Sequence, residues 1–119
     1  MLNIIDLIQI YKISREWFDL PIIPVIMCIF STTVVIRKRK EIIGFAVRTK
    51  KYLHYIAIKK EHQGKGYGHK LFKRVVPHIE SLNVKIKLRD AIDFYKKYGF
   101  KVKKSGHWIT GKRYLMVKT

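Results

Sequence analysis

Between residues 63 and 68 the chain reads Gln63-Gly64-Lys65-Gly66-Tyr67-Gly68. Glycine lets a backbone turn tightly and approach a ligand closely. The stretch follows the strand-like run Tyr52–Ile58 and precedes a helical pattern, so it sits where a strand feeds a helix. The first N–H groups of such a helix are unpaired and carry the positive end of its dipole. Together they form a cradle for an anion such as pyrophosphate. Lys65 and Lys70 add point charges beside it. A glycine-rich strand-to-helix turn is also a common structural device, and alone the run supports either use. It is not a P-loop, since no Lys-Ser or Lys-Thr pair follows, and it lacks the third glycine position of the dinucleotide fingerprint.

A second segment, Ala91-Ile92-Asp93-Phe94-Tyr95-Lys96-Lys97-Tyr98-Gly99-Phe100, carries aromatic residues at helical spacing. By itself it reads as an amphipathic helix with a glycine at its C′ position. His62, His69 and His78 are not paired on one element as metal ligands would be, and no metal is expected. Cys28 is the only cysteine, so neither an internal disulfide nor a cysteine-based zinc site is available. A reducing, cytoplasmic compartment fits.

These segments need elements to hold them. Residues 2–18 place apolar groups at Leu2, Ile5, Ile8, Ile10, Ile13 and Trp17, which predicts a helix ended by Pro21 and Pro24. Leu20–Ile36 holds no charge. Its two prolines, the polar Ser31-Thr32-Thr33 and its β-branched bias argue against a membrane span and for an extended segment leading into a buried strand. Thr32–Arg37 and Glu41–Arg48 form a hairpin pattern, with Gly44 marking a bulge or a close backbone approach. Tyr52–Ile58 is a third strand.

The helical pattern after the glycine run extends from Leu71 to Leu82, with Pro77 kinking or shortening it. Val84, Ile86 and Leu88 alternate with cations as a half-buried strand. Asp90 caps a short helix through Tyr98. Phe100–Lys104 and Trp108–Lys118 close as strands, with Gly106 and Gly111 as turn residues. The order is helix, three strands, helix, strand, helix, two strands.

At 119 residues one domain is expected, with residues 1–31 as a helix and apolar extended segment belonging to the same unit as 32–119. The apolar fraction of 48% excludes a disordered chain. The formal net charge is +18 and is unevenly placed. Residues 1–36 hold Lys12 and Arg15 against Asp6, Glu16 and Asp19; the other 24 basic groups face only five acids. Such a field attracts polyanions without saying which.

Taken together, the two motifs resemble one family. The Gln63–Gly68 loop is similar to the Gln/Arg-x-x-Gly-x-Gly motif of the GCN5-related N-acetyltransferases (GNAT). Tyr55-Ile56-Ala57-Ile58 resembles that family's fourth strand. Ala91–Phe100 resembles its "A…fY…GF" helix-to-strand motif, about thirty residues downstream, and Tyr114–Lys118 its last strand. The resemblance covers roughly residues 32–118. It implies a mixed α/β fold with a mainly antiparallel sheet, splayed central strands and flanking helices, here with a shortened N-terminal part.

It also implies transfer of an acetyl group from acetyl-CoA to a primary amine by direct attack. Pantetheine would pair with Ile56, Ala57 and Ile58 like an added strand. Pyrophosphate would lie on the loop and helix start, Gln63, Gly64, Lys65, Gly66, Tyr67, Gly68, His69 and Lys70. A backbone N–H near Ile56 would polarise the thioester carbonyl. Tyr95 matches the family's general acid. The glutamate that serves some relatives as base falls at Tyr52. His54, two residues on and hence on the same face, is the candidate in its place. The asparagine that often precedes the "A…fY" motif falls at Leu88.

An alternative reading is a non-catalytic nucleic-acid or ribosome-binding module on a degenerate scaffold of this family, resting on the charge and on the absent carboxylate. The partners expected are therefore acetyl-CoA and an amine acceptor, with a nucleic acid or other acidic partner admitted by the charge. Completion of the sheet in a homodimer is admitted by the short N-terminal part. No membrane partner is expected.

Overall fold

The computed structural model describes residues 2–108 and 111–119, with Trp108 described by its backbone alone. Helix α1 (Ile4–Trp17) opens on a capping box in which Asn3 and Asp6 each accept from the other's backbone N–H. Its inner residues Ile10 and Ile13 are fully buried.

The next segment departs from the extended conformation expected of it. Residues Ile22–Phe30 form helix α2. Pro21 stands at the N-cap and Pro24 in the first turn, where a missing N–H costs no intrahelical bond. Pro24 and Cys28 are buried on the inner face, and that packing overrides the β-branched bias.

Three antiparallel strands follow: β1 (Thr32–Lys38), β2 (Glu41–Thr49) and β3 (Tyr52–Ile58). The β1–β2 pair carries a register shift at Ile36/Arg37, next to Gly44. Gly44 is a close approach as well: a Cβ there would stand 2.5 Å from Ile58 Cδ1 and 3.1 Å from the Ala57 carbonyl.

A 3-10 turn (Lys60–His62) and the glycine loop lead into α3 (Tyr67–Val75). Pro77 shortens the apolar helical pattern, which gives way to a 3-10 turn at Val76–His78. Leu82, read as the end of that pattern, belongs instead to β4 (Ser81–Lys85). The strand expected from Val84 to Leu88 is thus displaced: Leu82 and Val84 are its buried residues, and Leu88 is the N-cap of α4 (Arg89–Lys97). Gly99, with φ +89°, follows that helix at C′ as expected. Strands β5 (Phe100–Trp108) and β6 (Gly111–Lys118) complete the fold. Gly106, expected in a turn, lies inside β5 opposite Arg113. Residues 109–110, expected as strand, lie outside the described residues.

The six strands form one sheet in the order β1-β2-β3-β4-β6-β5. All pairs are antiparallel except β3–β4, which is parallel and holds only Tyr52 against Ser81 and Leu53 against Leu82. Beyond those two pairs the strands part. One apolar cluster, built on Phe72, Leu71, Leu82 and Met116, joins both half-sheets to α3 and α4. A second, built on Phe45, Val47, Ile10 and Ile13, seats α1 and α2 on the other side of β2.

Candidate active site

The divergence of β3 from β4 leaves one edge of β3 without a strand partner. On its other side Ala57 stands opposite Phe45, and Lys59 N–H donates to the Ile43 carbonyl at 2.8 Å. In an antiparallel ladder the residues that bond a given neighbour alternate. The N–H and C=O groups of Ile56 and Ile58 therefore point away from β2, into the gap. The gap is the mouth of a cleft of about 660 Å³ whose walls include His54, Tyr95, Gln63 and Gly68.

At one end of this cleft stands the glycine loop. Gly64 and Gly66 adopt φ of +73° and +84°, which side-chain-bearing residues rarely take. Nothing lies within 4 Å of a Cβ built at Gly64, Gly66 or Gly68, so the loop faces open space. The first N–H of α3 to find a helical partner is that of Lys70, bonded to Gly66 O at 3.1 Å. No side chain caps the helix start. The N–H groups of Tyr67, Gly68 and His69 thus precede the helical ladder, as an anion cradle requires.

The expected site residues are only partly brought together. Ile56, Ala57, Ile58, Gln63, Gly68, His54 and Tyr95 line the cleft itself. Gly64, Lys65, Gly66, Tyr67, His69 and Lys70 stand at its outer end rather than on its walls. The His69 imidazole is directed elsewhere: Nδ1 lies 2.8 Å from the Tyr98 hydroxyl and the ring packs on Phe94, tying α3 to α4.

Tyr95 is buried between the rings of Phe72 and Phe94, at centroid distances of 5.4 and 5.6 Å. Burial alone pushes its hydroxyl above the ordinary phenol range. It stays protonated through neutral pH and is a hydrogen-bond donor there. His54 packs edge-on to Tyr52 at 4.7 Å, and burial draws its imidazole below the usual value. Its neutral form is therefore favoured, as a proton acceptor needs.

Sequence reasoning missed the rest of the wall. The end of α1 crosses the gap like a strap. Glu16 accepts from Lys60 N–H, Trp17 Nε1 donates to the Ile58 carbonyl at 2.8 Å, and Asp19 holds Lys85 of β4 at 2.7 Å. Phe18 meets Tyr55 edge-on at 4.9 Å. Trp17 thus occupies one of the carbonyls facing the gap. Across the floor, Asn83 donates to the Tyr52 hydroxyl and accepts from Arg113 Nη1 at 2.8 Å. Nothing in the spacing of these residues marks them; only the strand register brings Asn83 beside β3 and β6.

The sequence profile of the acetyltransferase (GNAT) domain matches residues 30–113. A search of curated protein sequences gave no match. Among solved structures, that of Arabidopsis thaliana Naa50 in complex with the bisubstrate analogue CoA-Ac-MVNAL superposes with a TM-score of 0.81 at 20% identity, covering 99% of this chain and 95% of that one. The ribosomal-protein-S18-alanine N-acetyltransferase of Escherichia coli gives 0.78 at 17% identity, with 98% and 89% covered. A GNAT acetyltransferase of Elizabethkingia anophelis with acetyl-CoA bound gives 0.76 at 16%, with 91% and 88% covered. The likeness to these structures is one of fold: a mixed, mainly antiparallel sheet parted at its centre and flanked by helices. The profile match spans most of the chain, including the parted strands and the glycine loop, and the chain belongs to the GNAT acetyltransferase family.

Proposed function

We propose that the chain transfers the acetyl group of acetyl-CoA to a primary amine by direct attack, with no covalent enzyme intermediate. One observation carries the reading: the edge of β3 at Ile56–Ile58, which no strand pairs, and the uncapped helix start at Gly66–His69 open on the same cleft. When bound, acetyl-CoA supplies an activated acyl group whose carbonyl carbon the acceptor nitrogen attacks. A C–N bond forms, the C–S bond breaks, and CoA leaves as a thiol.

The Ile56 carbonyl and the Ile58 N–H, which face away from β2, pair with the pantetheine amides, while Ala57, expected to pair as well, spends its backbone on β2 and only lines the cleft beside them. Gln63, Gly64, Gly66, Tyr67, Gly68 and His69 hold the pyrophosphate, with His69 acting through its backbone, and Lys65 and Lys70 add positive charge. The Ile56 N–H donates to the carbonyl oxygen as negative charge gathers there. Tyr95 gives its proton, or a hydrogen bond, to the departing sulfur. His54 takes the proton lost by the amine, directly or through water.

Two features support an α-amine, such as a peptide N-terminus, as acceptor. With a reference pKa of about 7.7–8.0, an α-amine is already partly neutral near pH 7.5, whereas a lysine at about 10.4 is not. A site with Tyr52 in place of a carboxylate, and a histidine as its base, suits the easier proton. The Naa50 structure holds the bisubstrate analogue CoA-Ac-MVNAL, and the Escherichia coli enzyme is described as a ribosomal-protein-S18-alanine N-acetyltransferase. A cytoplasmic location is proposed with this reading, on the single cysteine of the chain, Cys28, which leaves no internal disulfide to form.

The alternative, a basic nucleic-acid or ribosome-binding module, keeps one observation in its favour: 24 basic groups against five acids after residue 36. Titration calorimetry with acetyl-CoA decides between them. The proposal expects saturable one-site binding, abolished by Gly66→Trp, whose bulk fills the open cradle at a positive φ. Absence of binding at millimolar acetyl-CoA overturns it, and RNA affinity that falls steeply with salt would then be the expected signature.

A further inference from the structure

We propose that the outer face of α1 and α2 is a docking surface for an anionic membrane, on which the protein lies without spanning it. The two helices pack side by side on the β2 face of the sheet. Their inner residues build a core, yet their outer residues are also apolar. Ile4, Ile5 and Ile8 on α1 and Ile26, Ile29 and Phe30 on α2 are all exposed, Ile4 to 74% and Phe30 to 80%. Soluble proteins scatter single exposed apolar residues, but a contiguous face of large ones marks a contact surface.

The charges around this face say which contact. Every acid of the first 36 residues is engaged by a partner in the body of the protein. Asp6 is buried and bonded to Arg37, Glu16 accepts from the Lys60 N–H of the 3-10 turn, and Asp19, though exposed, is held by Lys85. The cations are not turned in. Lys12 and Arg15 continue the exposed stripe of α1 beyond Ile8. The Asp6–Arg37 pair brings the exposed turn Lys38-Arg39-Lys40 beside the start of α1. At the end of α2, Ser31 bonds Thr49 at 2.9 Å and brings the exposed Lys50 and Lys51 alongside. An apolar helical face bordered by Lys and Arg is the pattern of interfacial helices, whose apolar side enters the acyl boundary while the cations meet anionic headgroups.

A second copy of the chain fits this face poorly, because two bodies of net charge +18 repel. A nucleic acid offers nothing to a row of isoleucines. Among the described residues no helix is long and apolar enough to cross a membrane. The sequence argues against a membrane partner only while Leu20–Ile36 is read as extended; folded as α2, Ile22–Phe30 buries Pro24 and Cys28 and leaves Ile26, Ile29 and Phe30 exposed. The inference is independent of the catalytic reading.

The test is co-sedimentation of the full chain with phosphatidylcholine vesicles and with vesicles of equal parts phosphatidylcholine and phosphatidylglycerol. The expected result is binding to the anionic vesicles, with a remainder that survives 1 M salt, where the screening length is about 3 Å. The double variant Ile29→Asp/Phe30→Asp should bind about tenfold or more weakly while keeping its circular dichroism spectrum. Undiminished binding of that variant, together with complete release of the wild type by salt, overturns the proposal in favour of charge alone. Absence of pelleting with anionic vesicles overturns it and leaves the face to a protein partner. A concentration-dependent dimer in analytical ultracentrifugation, abolished by the same variant, overturns it in favour of a second copy.

Discussion

Removing one oxygen from Tyr95 separates chemistry from packing. The Tyr95→Phe ring keeps its contacts with Phe72 and Phe94, so stability should change by less than about 1 kcal/mol. Acetyl-CoA affinity should not move, whereas turnover followed by thiol release should fall about 100-fold if the hydroxyl serves the leaving sulfur. An unchanged rate would return Tyr95 to the core. His54 makes a prediction about pH. Burial lowers its pKa, so the neutral, proton-accepting form persists below the ordinary value near 6.5. The acid limb of the rate profile should therefore lie below pH 6.5 and vanish in His54→Gln. The same shift has a stability sign: the unfolded chain takes up the proton first, so stability falls as pH drops below about 6.5 and levels off under the folded pKa. A wild-type limb that survives in the variant would assign the base elsewhere.

At the scale of elements, α4 begins on Leu88, which offers no capping side chain and is exposed. Leu88→Asn places an acceptor where the family often has one, and should raise stability by about 1 kcal/mol in thermal unfolding. Absence of any gain would mean that the cap's φ of −88° and ψ of 72° do not aim the amide at the helix. What was legible in the sequence follows the same line between local and tertiary causes. The strand-like run Tyr52–Ile58, the glycine loop and Gly99 after α4 are local signals, and each appears where expected. Helix α2 was misread because β-branched residues and prolines argue locally for extension, while its conformation rests on burial of Pro24 and Cys28. Strand β4 was displaced because the alternation of Val84, Ile86 and Leu88 with cations continues past the point where the chain leaves the sheet. In the site, the glycine loop is marked by type and spacing, whereas Tyr95 and His54 are pointed to only by the family resemblance; the structure brings both of these to the cleft wall. Trp17, Asn83 and Arg113 reach the cleft only through tertiary contact.

For the molecule as a whole, the net charge of +18 is an unfavourable term that salt can tune. With 26 basic groups and 8 acidic ones, like charges repel more in the folded body than in the expanded chain. Raising sodium chloride from low ionic strength should therefore raise the melting temperature, by roughly 4 °C for each 1 kcal/mol of repulsion screened. A melting temperature that falls with salt would mean that ion pairs such as Lys59–Glu41 and Lys85–Asp19 outweigh the repulsion.

The seam between β3 and β4 holds two residue pairs, so the two half-sheets are joined mainly by side chains of the cluster behind them. Hydrogen-bonded ladders hardly change volume under compression, whereas packed side chains give up the small voids between them. Hydrostatic pressure should thus narrow the angle between the half-sheets before it disturbs either ladder. The width of the cleft becomes a mechanical variable, set by the compressibility of Leu82, Phe72, Met116 and their neighbours rather than by the backbone.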